Sequence, residues 1–237
     1  MRDRQWSIVL AVISSALTAA FAIIGALVIG KIWSKLKLQG QMKSYGFSRS
    51  SKNVIPDCDL RFVFDNAVRL KILFVSGKNF FLKGMVDSKI IADHILEFGK
   101  AKGKKVQILL CDPTSTHIGA LEESQKEVAI RKYDEEDIVS ELVRVRKKFS
   151  GGDGRLADGI EIRYFVDLYQ LPVVIAEFEN GDIHAWLCIH LNPATAAESF
   201  WLFGKDSGDS GEPMRAHNFV KMMKVHFDSQ WNRGSEQ

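Results

Sequence analysis

The first 33 residues carry the longest hydrophobic run in the chain. Ser7 to Gly30 spans 24 residues without a charged side chain, and Arg4 and Lys31 bound the run on its two sides. At about 1.5 Å of rise per residue this is roughly 36 Å of helix, enough to cross a hydrocarbon core of ~30 Å. A cleavable signal has an apolar region of only about 7–15 residues, and a soluble helix has a polar face. The pattern therefore predicts a single-pass transmembrane anchor over residues 1–33.

Positive charge accumulates after this run, which predicts its orientation. Only Arg2 and Arg4 precede the run, whereas six basic residues follow it within residues 31–52. Flanks rich in Lys and Arg stay on the cytoplasmic side of a membrane. We therefore expect a basic juxtamembrane linker at residues 34–55 and a cytoplasmic domain at residues 56–237.

In the domain, apolar runs with the character of strands alternate with helical stripes. This order predicts an α/β fold, a mixed sheet flanked by helices and preceded by one transmembrane helix. Asn180-Gly181 predicts a type I′ hairpin turn with positive φ at both residues, and residues 204–213 read as a flexible loop. The predicted strands are Leu70–Gly77, Lys105–Cys111, Ile160–Val166, Pro172–Phe178 and Ile183–His190. The predicted helices cover 81–102, a long segment ending at Phe149, and a final helix with Phe219, Met222, Met223, Phe227 and Trp231 inward.

Charge and cysteine content narrow the function. Residues 1–52 have eight Lys or Arg and one acid, so the rest of this +3 chain has a net charge of −4. A mildly acidic domain without basic runs argues against nucleic-acid binding. Three cysteines without a CxxC or Cys/His ligand spacing predict a reducing compartment, no metal site and no cofactor.

Polar side chains follow two of the predicted buried strands. Ser76 and Lys78 come after the first, and Asp112, Ser115 and His117 come after the second. The carboxyl ends of parallel strands meet at one edge, where open α/β sheets bind ligands. The alternative interpretation is a tight turn at Ser76 and ordinary turn and helix-capping roles for the second group.

Two histidines lie on one hairpin strand. His184 and His190 are six residues apart, so the two-residue period of a strand puts them on the same face. Imidazoles facing one cleft could perform acid–base chemistry or bind an anion. Equally, one of them could be a structural histidine beside Trp186 and Cys188.

The segments LKILFVSGKNF and KGKKVQILLCDPTS, followed by IEIRYFVDLYQLPVVIAEFENGDIHAWLCIHLNP and FVKMMKVHFDSQWN, resemble bacterial members of the phospholipase D-like superfamily. The resemblance covers residues 66–232, one half of a two-lobed enzyme. It implies a phospholipase D-like fold, a bacterial protein and a homodimer. Together with the predicted anchor at residues 7–30, this predicts a bacterial inner (plasma) membrane location. Catalytic members of that superfamily carry H-x-K-x-x-x-x-D, with His as nucleophile and Lys holding the phosphate.

This chain departs from that motif. No histidine has a lysine two residues later, and Tyr169 to Pro172 occupy the expected position. Where the family has a Gly-Ser-x-Asn turn, the chain has Cys188 to Asn192. The resemblance therefore implies a non-catalytic ligand-binding, sensing or assembly module. Its ligand would be an anionic small molecule or lipid head group near Ser76, Lys78, Asp112, Ser115, His117 and Asn192. The alternative is a divergent membrane-bound phosphodiesterase acting on a lipid head group or nucleotide, with His184 or His190 as nucleophile.

Overall fold

The computed structural model describes residues 47–52, 54–127, 137–166, 171–190, 199–207 and 219–235. The chain divides into two units, Met1–Ser44 and Tyr45–Gln237. The predicted transmembrane run at residues 7–30 lies outside the described residues. Among the residues that are described, no helix is long and apolar enough to cross a bilayer.

Strands and helices alternate along the second unit. The strands are β1 (Phe47–Lys52), β2 (Ala67–Leu73), β3 (Met85–Val86), β4 (Lys89–Ile90), β5 (Lys105–Cys111), β6 (Ile160–Phe165), β7 (Val173–Phe178), β8 (Ile183–His190) and β9 (Ser199–Asp206). The helices are α1 (Asp57–Asn66), α2 (Ile91–Lys100), α3 (Thr116–Glu127), α4 (Ile138–Phe149) and α5 (Phe219–Arg233), with a π-helical turn at Asn79–Lys83.

In the described chain, seven of these strands form one mixed sheet, in the order β1-β9-β8-β7-β2-β5-β6. β2, β5 and β6 are parallel, while β7, β8, β9 and β1 are antiparallel to their neighbours. The predicted α/β class with a mixed sheet is therefore confirmed. β5 has the bounds that its apolar run predicts, because both of its faces are buried at Ile108, Leu109 and Leu110.

Helices cover the sheet on both faces. The α2 glycine Gly99 contacts Ile160 on one face, and Asp228 of α5 reaches Lys71 on the other. The predicted inner stripe of α4, which ends at Phe149, is buried. In α5, Phe219, Phe227 and Trp231 are buried as predicted, but Met222 is 55% exposed, so the prediction that it faces inward is wrong.

The predicted helix over 81–102 is wrong in its first half. The π-helical turn and a small β3–β4 hairpin precede α2, which begins only at Ile91. Gly84 ends the turn where a Cβ would lie 2.5 Å from the Phe80 carbonyl oxygen. Asp87 and Ser88 both have positive φ in the hairpin turn. Apolar residues at helical spacing do not reveal such a turn, because the break depends on backbone conformation.

Three further expectations need correction. The turn at Asn180-Gly181 is not type I′, since only Gly181 has positive φ and its amide donates to the Phe178 carbonyl. This pattern fits a three-residue hairpin loop with glycine in the left-handed position. Residues 204–206 belong to β9 rather than to a loop, because β9 pairs with both β8 and β1. The predicted domain start at residue 56 is too late, since β1 already belongs to the sheet.

Candidate functional site

The ends of β2 and β5 bring two groups of sequence-predicted residues to one edge. The Cys111 amide donates to the Val75 carbonyl at 3.0 Å, so the chain segments leaving the two strands run side by side. Ser76 and Asp112 come next in their respective segments. We call this place the strand-end edge and define it by Ser76, Lys78, Asp112 and Ser115.

Ser76 and Lys78 are directed toward α4. The Ser76 hydroxyl donates to Glu141 Oε2 at 2.6 Å, and the Lys78 ammonium donates to Glu141 Oε1 at 3.3 Å. Glu141 is only 8% exposed, and a buried carboxylate needs a cation beside it. The Lys78 ammonium is such a cation. Both side chains therefore attach the loop after β2 to helix α4.

Asp112 and Ser115 form a turn and a helix start. Asp112 Oδ1 accepts hydrogen bonds from the Thr114 amide at 2.8 Å and the Thr114 hydroxyl at 2.6 Å. Ser115 Oγ accepts from the amide of His117, which is half-buried on α3. These bonds are those of an aspartate turn followed by a serine cap.

The structure separates the two hairpin histidines. His190 pairs with Ser199 at the end of β8, whereas His184 pairs with Ala176 and Lys205. β7 is antiparallel to β2, and β8 is antiparallel to β7, so β8 runs in the same direction as β2. His190 therefore lies toward the strand-end edge and His184 toward the opposite edge, about 20 Å along the strand. Asn192 lies outside the described residues.

Aromatic rings surround His184. Its ring centroid lies 4.6 Å from Phe178, 5.4 Å from Phe203, 5.8 Å from Phe62 and 6.0 Å from Trp186. The side chain is half-buried. This packing agrees with the structural interpretation of a sheet histidine beside Trp186.

The sequence reading missed a group of charges on the sheet face under α5. The Lys71 side chain is 3% exposed, and its ammonium donates to Asp228 Oδ1 at 2.6 Å and lies 2.9 Å from Glu177 Oε1. Lys224 lies 2.8 Å from Asp228 and 3.4 Å from Glu177, and Arg69 lies 3.1 Å from Glu177. We call these five residues the charge cluster.

The cluster holds its carboxylates ionised. Burial alone would raise the pKa of Glu177, but the Lys71 ammonium, with Lys224 and Arg69, keeps that pKa below its usual range. Burial likewise opposes ionisation of Asp228, and hydrogen bonds from Lys224 and Lys71 lower its pKa. Burial works against the charge of Lys224, yet Asp228 and Glu177 raise its pKa. Attraction therefore outweighs desolvation at all three groups.

A pocket of about 440 Å³ opens beside the cluster. Its charged lining is Arg69, Lys71, Lys105, Lys224 and Asp228, joined by the side chains of Gln107, Asn232 and Trp231. A sequence signal for it existed. Polar residues alternate with apolar ones at 69 and 71 in β2 and at 105 and 107 in β5, which places all four on one face.

Other chemistry is limited in the described part of the chain. It contains no group of three or more His, Cys, Asp or Glu side chains placed to hold a metal ion. Burial, followed by the nearby Asp112 charge, raises the pKa of the Cys111 thiol to about 11, so this thiol is not a thiolate nucleophile near neutral pH.

The chain has weak structural likenesses among solved proteins. No protein-family model and no curated protein matches the chain. A phospholipase D family member, Nuc from Salmonella typhimurium, has a TM-score of 0.40 and 11% identity, covering 79% of this chain and 94% of that one. A yeast tyrosyl-DNA phosphodiesterase mutant has a TM-score of 0.26 and 7% identity, covering 59% of this chain and 25% of that one. At such scores the α/β class rests on the sheet and helices described above.

Proposed function

We propose that this chain is a membrane-tethered protein whose phospholipase D-like domain faces the cytoplasm and binds an anionic ligand without hydrolysing it. One observation carries this proposal. The polar side chains of the strand-end edge, where phosphotransfer would be sought, form hydrogen bonds within the fold: Ser76 and Lys78 to Glu141, and Asp112 to Thr114.

The sequence supports the same conclusion. Phosphoryl transfer through a covalent intermediate needs an activated nucleophile and a cation on the phosphate oxygens. The H-x-K pair that would supply both is absent, since no histidine has a lysine two residues later. A domain that keeps the fold and loses this pair retains binding more readily than turnover.

The cellular setting is part of the proposal. The 24-residue uncharged run would insert into a bacterial plasma membrane, with the basic flank and the domain on the cytoplasmic side. Two copies would associate as a homodimer, which the resemblance implies. Small residues at four-residue spacing in the membrane run would allow two helices to approach closely: Ala11, Ser15 and Ala19, and Ala22, Ala26 and Gly30.

The alternative is a divergent phosphodiesterase, and one observation favours keeping it. The backbone of His190 lies at the end of β8 toward the same edge as Ser76 and Asp112, which supports this alternative. His184 offers no such support, because it lies toward the opposite edge among aromatic rings.

A hydrolysis assay separates the two functions. The full chain in detergent micelles is given bis(4-nitrophenyl) phosphate and, separately, phospholipid vesicles, beside His190→Ala and the matched control His184→Ala. The proposal predicts no turnover by any of the three proteins. Turnover that His190→Ala abolishes and His184→Ala retains would replace it with the phosphodiesterase.

A further inference from the structure

We propose that the pocket between the sheet and α5 binds the phosphate group of a phosphomonoester. The pocket would be the binding site for the anionic ligand of the proposed function, and this inference therefore rests on that function. It lies on the sheet face, away from the strand-end edge to which the sequence assigns the ligand.

The first support is a like-charge pair. Arg69 and Lys105 are direct partners across the parallel strands β2 and β5, and both line the pocket. Like charges directly opposite each other destabilise a sheet. Glutamates flank the pair, with Glu177 3.1 Å from Arg69 and Glu161 2.5 Å from Lys105. The two glutamates reduce the repulsion between Arg69 and Lys105, each from the far side of its own partner. An anion bound between the two cations would reduce this repulsion further.

The second support is the buried lysine. Lys71 stands one alternation further along the same face, beside Gln107, and is only 2% exposed. Lysine is almost never fully buried unless it is paired, and Lys71 is paired with Glu177 and Asp228. Its ammonium compensates the two carboxylates beside the pocket, so their negative charge opposes an incoming anion less.

The balance of charge favours an anion. Arg69, Lys71, Lys105 and Lys224 face the carboxylates of Glu161, Glu177 and Asp228. One positive charge is thus left over. The side chains of Arg69 and Lys105 are 46% and 42% exposed, so a ligand can reach them without displacing a core residue.

The size and lining of the pocket define the class of ligand. About 440 Å³ falls in the usual range for small-molecule sites and is far larger than a phosphate ion. The Arg69 guanidinium offers a planar pair of donors that matches phosphate oxygens. Toward α5, Asp228 and Asn232 can accept hydrogen bonds from hydroxyl groups on the rest of the molecule. This arrangement fits a hydroxylated organic phosphate.

The test measures affinity in the full chain. The protein in phosphatidylcholine nanodiscs is titrated calorimetrically with glucose 6-phosphate, with glucose as the control ligand. We expect saturable binding of the phosphate ester and none of glucose. Arg69→Gln and Lys105→Gln should each weaken binding at least about tenfold, as loss of a charge-assisted hydrogen bond does.

Matched variants make the result decisive. Arg155→Gln and Lys100→Gln remove an exposed arginine and an exposed lysine that do not line the pocket, and both should bind like the wild type. Absence of binding, or equal loss in the pocket and control variants, would overturn the assignment. Circular dichroism of every variant confirms that the fold is retained.

A second arm distinguishes a soluble phosphate ester from a lipid head group. The titration is repeated in nanodiscs that contain phosphatidic acid. If phosphatidic acid weakens the binding of glucose 6-phosphate to the wild type but not to Lys105→Gln, the lipid phosphate occupies the pocket. If the affinity for glucose 6-phosphate is unchanged, the pocket is assigned to soluble esters. The two proposals can be refuted independently. Turnover through His190 in the hydrolysis assay would refute the non-catalytic function, but binding at Arg69 and Lys105 would remain intact.

Discussion

The buried Lys71 ammonium joins carboxylates from two elements, Glu177 of β7 and Asp228 of α5. Lys71→Met keeps the length of the side chain and removes its charge, which leaves the two carboxylates to Lys224 and Arg69. We expect a loss of about 3 kcal/mol in the free energy of unfolding, as for other buried pairs broken on one side. Urea unfolding monitored by circular dichroism measures it.

Lys205→Met is the control for that variant. Lys205 lies 2.8 Å from Asp182, but its side chain is 47% exposed, so solvent screens the pair. Its removal should change the free energy of unfolding much less than Lys71→Met does. Equal effects of the two substitutions would show that Lys71 is no more coupled to the fold than a surface lysine.

Two glycines separate backbone strain from close packing. Gly159 and Gly154 both have positive φ, at 74° and 79°, but only Gly159 has a close neighbour, since its Cβ would lie 2.0 Å from the Gly99 oxygen. Gly154→Ala should destabilise by about 1 kcal/mol through φ alone. Gly159→Ala adds a clash with the end of α2 and should exceed it by about 2 kcal/mol or more. Thermal unfolding of both variants tests the difference, and equal losses would contradict the close approach.

At the scale of elements, the charge cluster links α5 to the sheet, and this link depends on pH. The folded-state pKa values of Glu177 and Asp228 lie below their ordinary values of 4.5 and 3.8. Groups with depressed pKa values stabilise the fold above the unfolded pKa, and their contribution is lost as pH falls through the folded value. We therefore expect the free energy of unfolding to fall below about pH 4.5, and to fall less steeply in Asp228→Asn.

Glu97→Gln provides the comparison for that pH series. The hydrogen bond from Lys89 lowers the pKa of Glu97 as well, but the Glu97 side chain is 64% exposed, so solvent and salt screen the interaction. This variant should keep the wild-type slope. If it flattened the curve as much as Asp228→Asn, the pH dependence would be a general surface effect instead of a property of α5 docking.

The sequence predicts correctly those elements whose own apolar residues show which of their faces are buried. β5 is an apolar run with both faces covered, and the stripe of α4 lies on one face up to Phe149. β9 escaped prediction because its last residues, including Gly204, resemble a loop, and only pairing with β8 and β1 makes them a strand. The residues of a segment alone do not show whether it will pair with strands that are distant in the sequence.

The pocket escaped prediction for a related reason. The polar residues at the strand ends were conspicuous because they interrupt the chain at turns, and they prove to be held by Glu141 and Thr114. Arg69 and Lys105 stand inside strands, where alternation hides them among apolar neighbours. Their proximity follows only from the parallel pairing of β2 with β5, which brings together residues 36 positions apart.

At the scale of the whole molecule, the sheet offers two separate places for chemistry. The strand-end edge follows the carboxyl ends of β2 and β5, whereas the pocket lies on the face beneath α5, nearer the beginnings of the same strands. If the proposed loss of phosphotransfer at the edge is correct, a ligand could still bind at the face. A fold does not determine the function of a protein, because function depends on the residues of each particular site.

The proposed tether gives the last prediction, and it concerns the part of the chain before the domain. Leu17 lies near the middle of the uncharged run of residues 7–30. A lysine near the middle of a membrane helix costs about 2.5–3.5 kcal/mol of insertion free energy. Leu17→Lys should therefore shift part of the full chain from the carbonate-resistant membrane fraction to the soluble fraction, whereas Leu17→Ile should not. If wild type and both variants were all released by carbonate, the run would not be a membrane anchor, and the pocket would have to be supplied from solution alone.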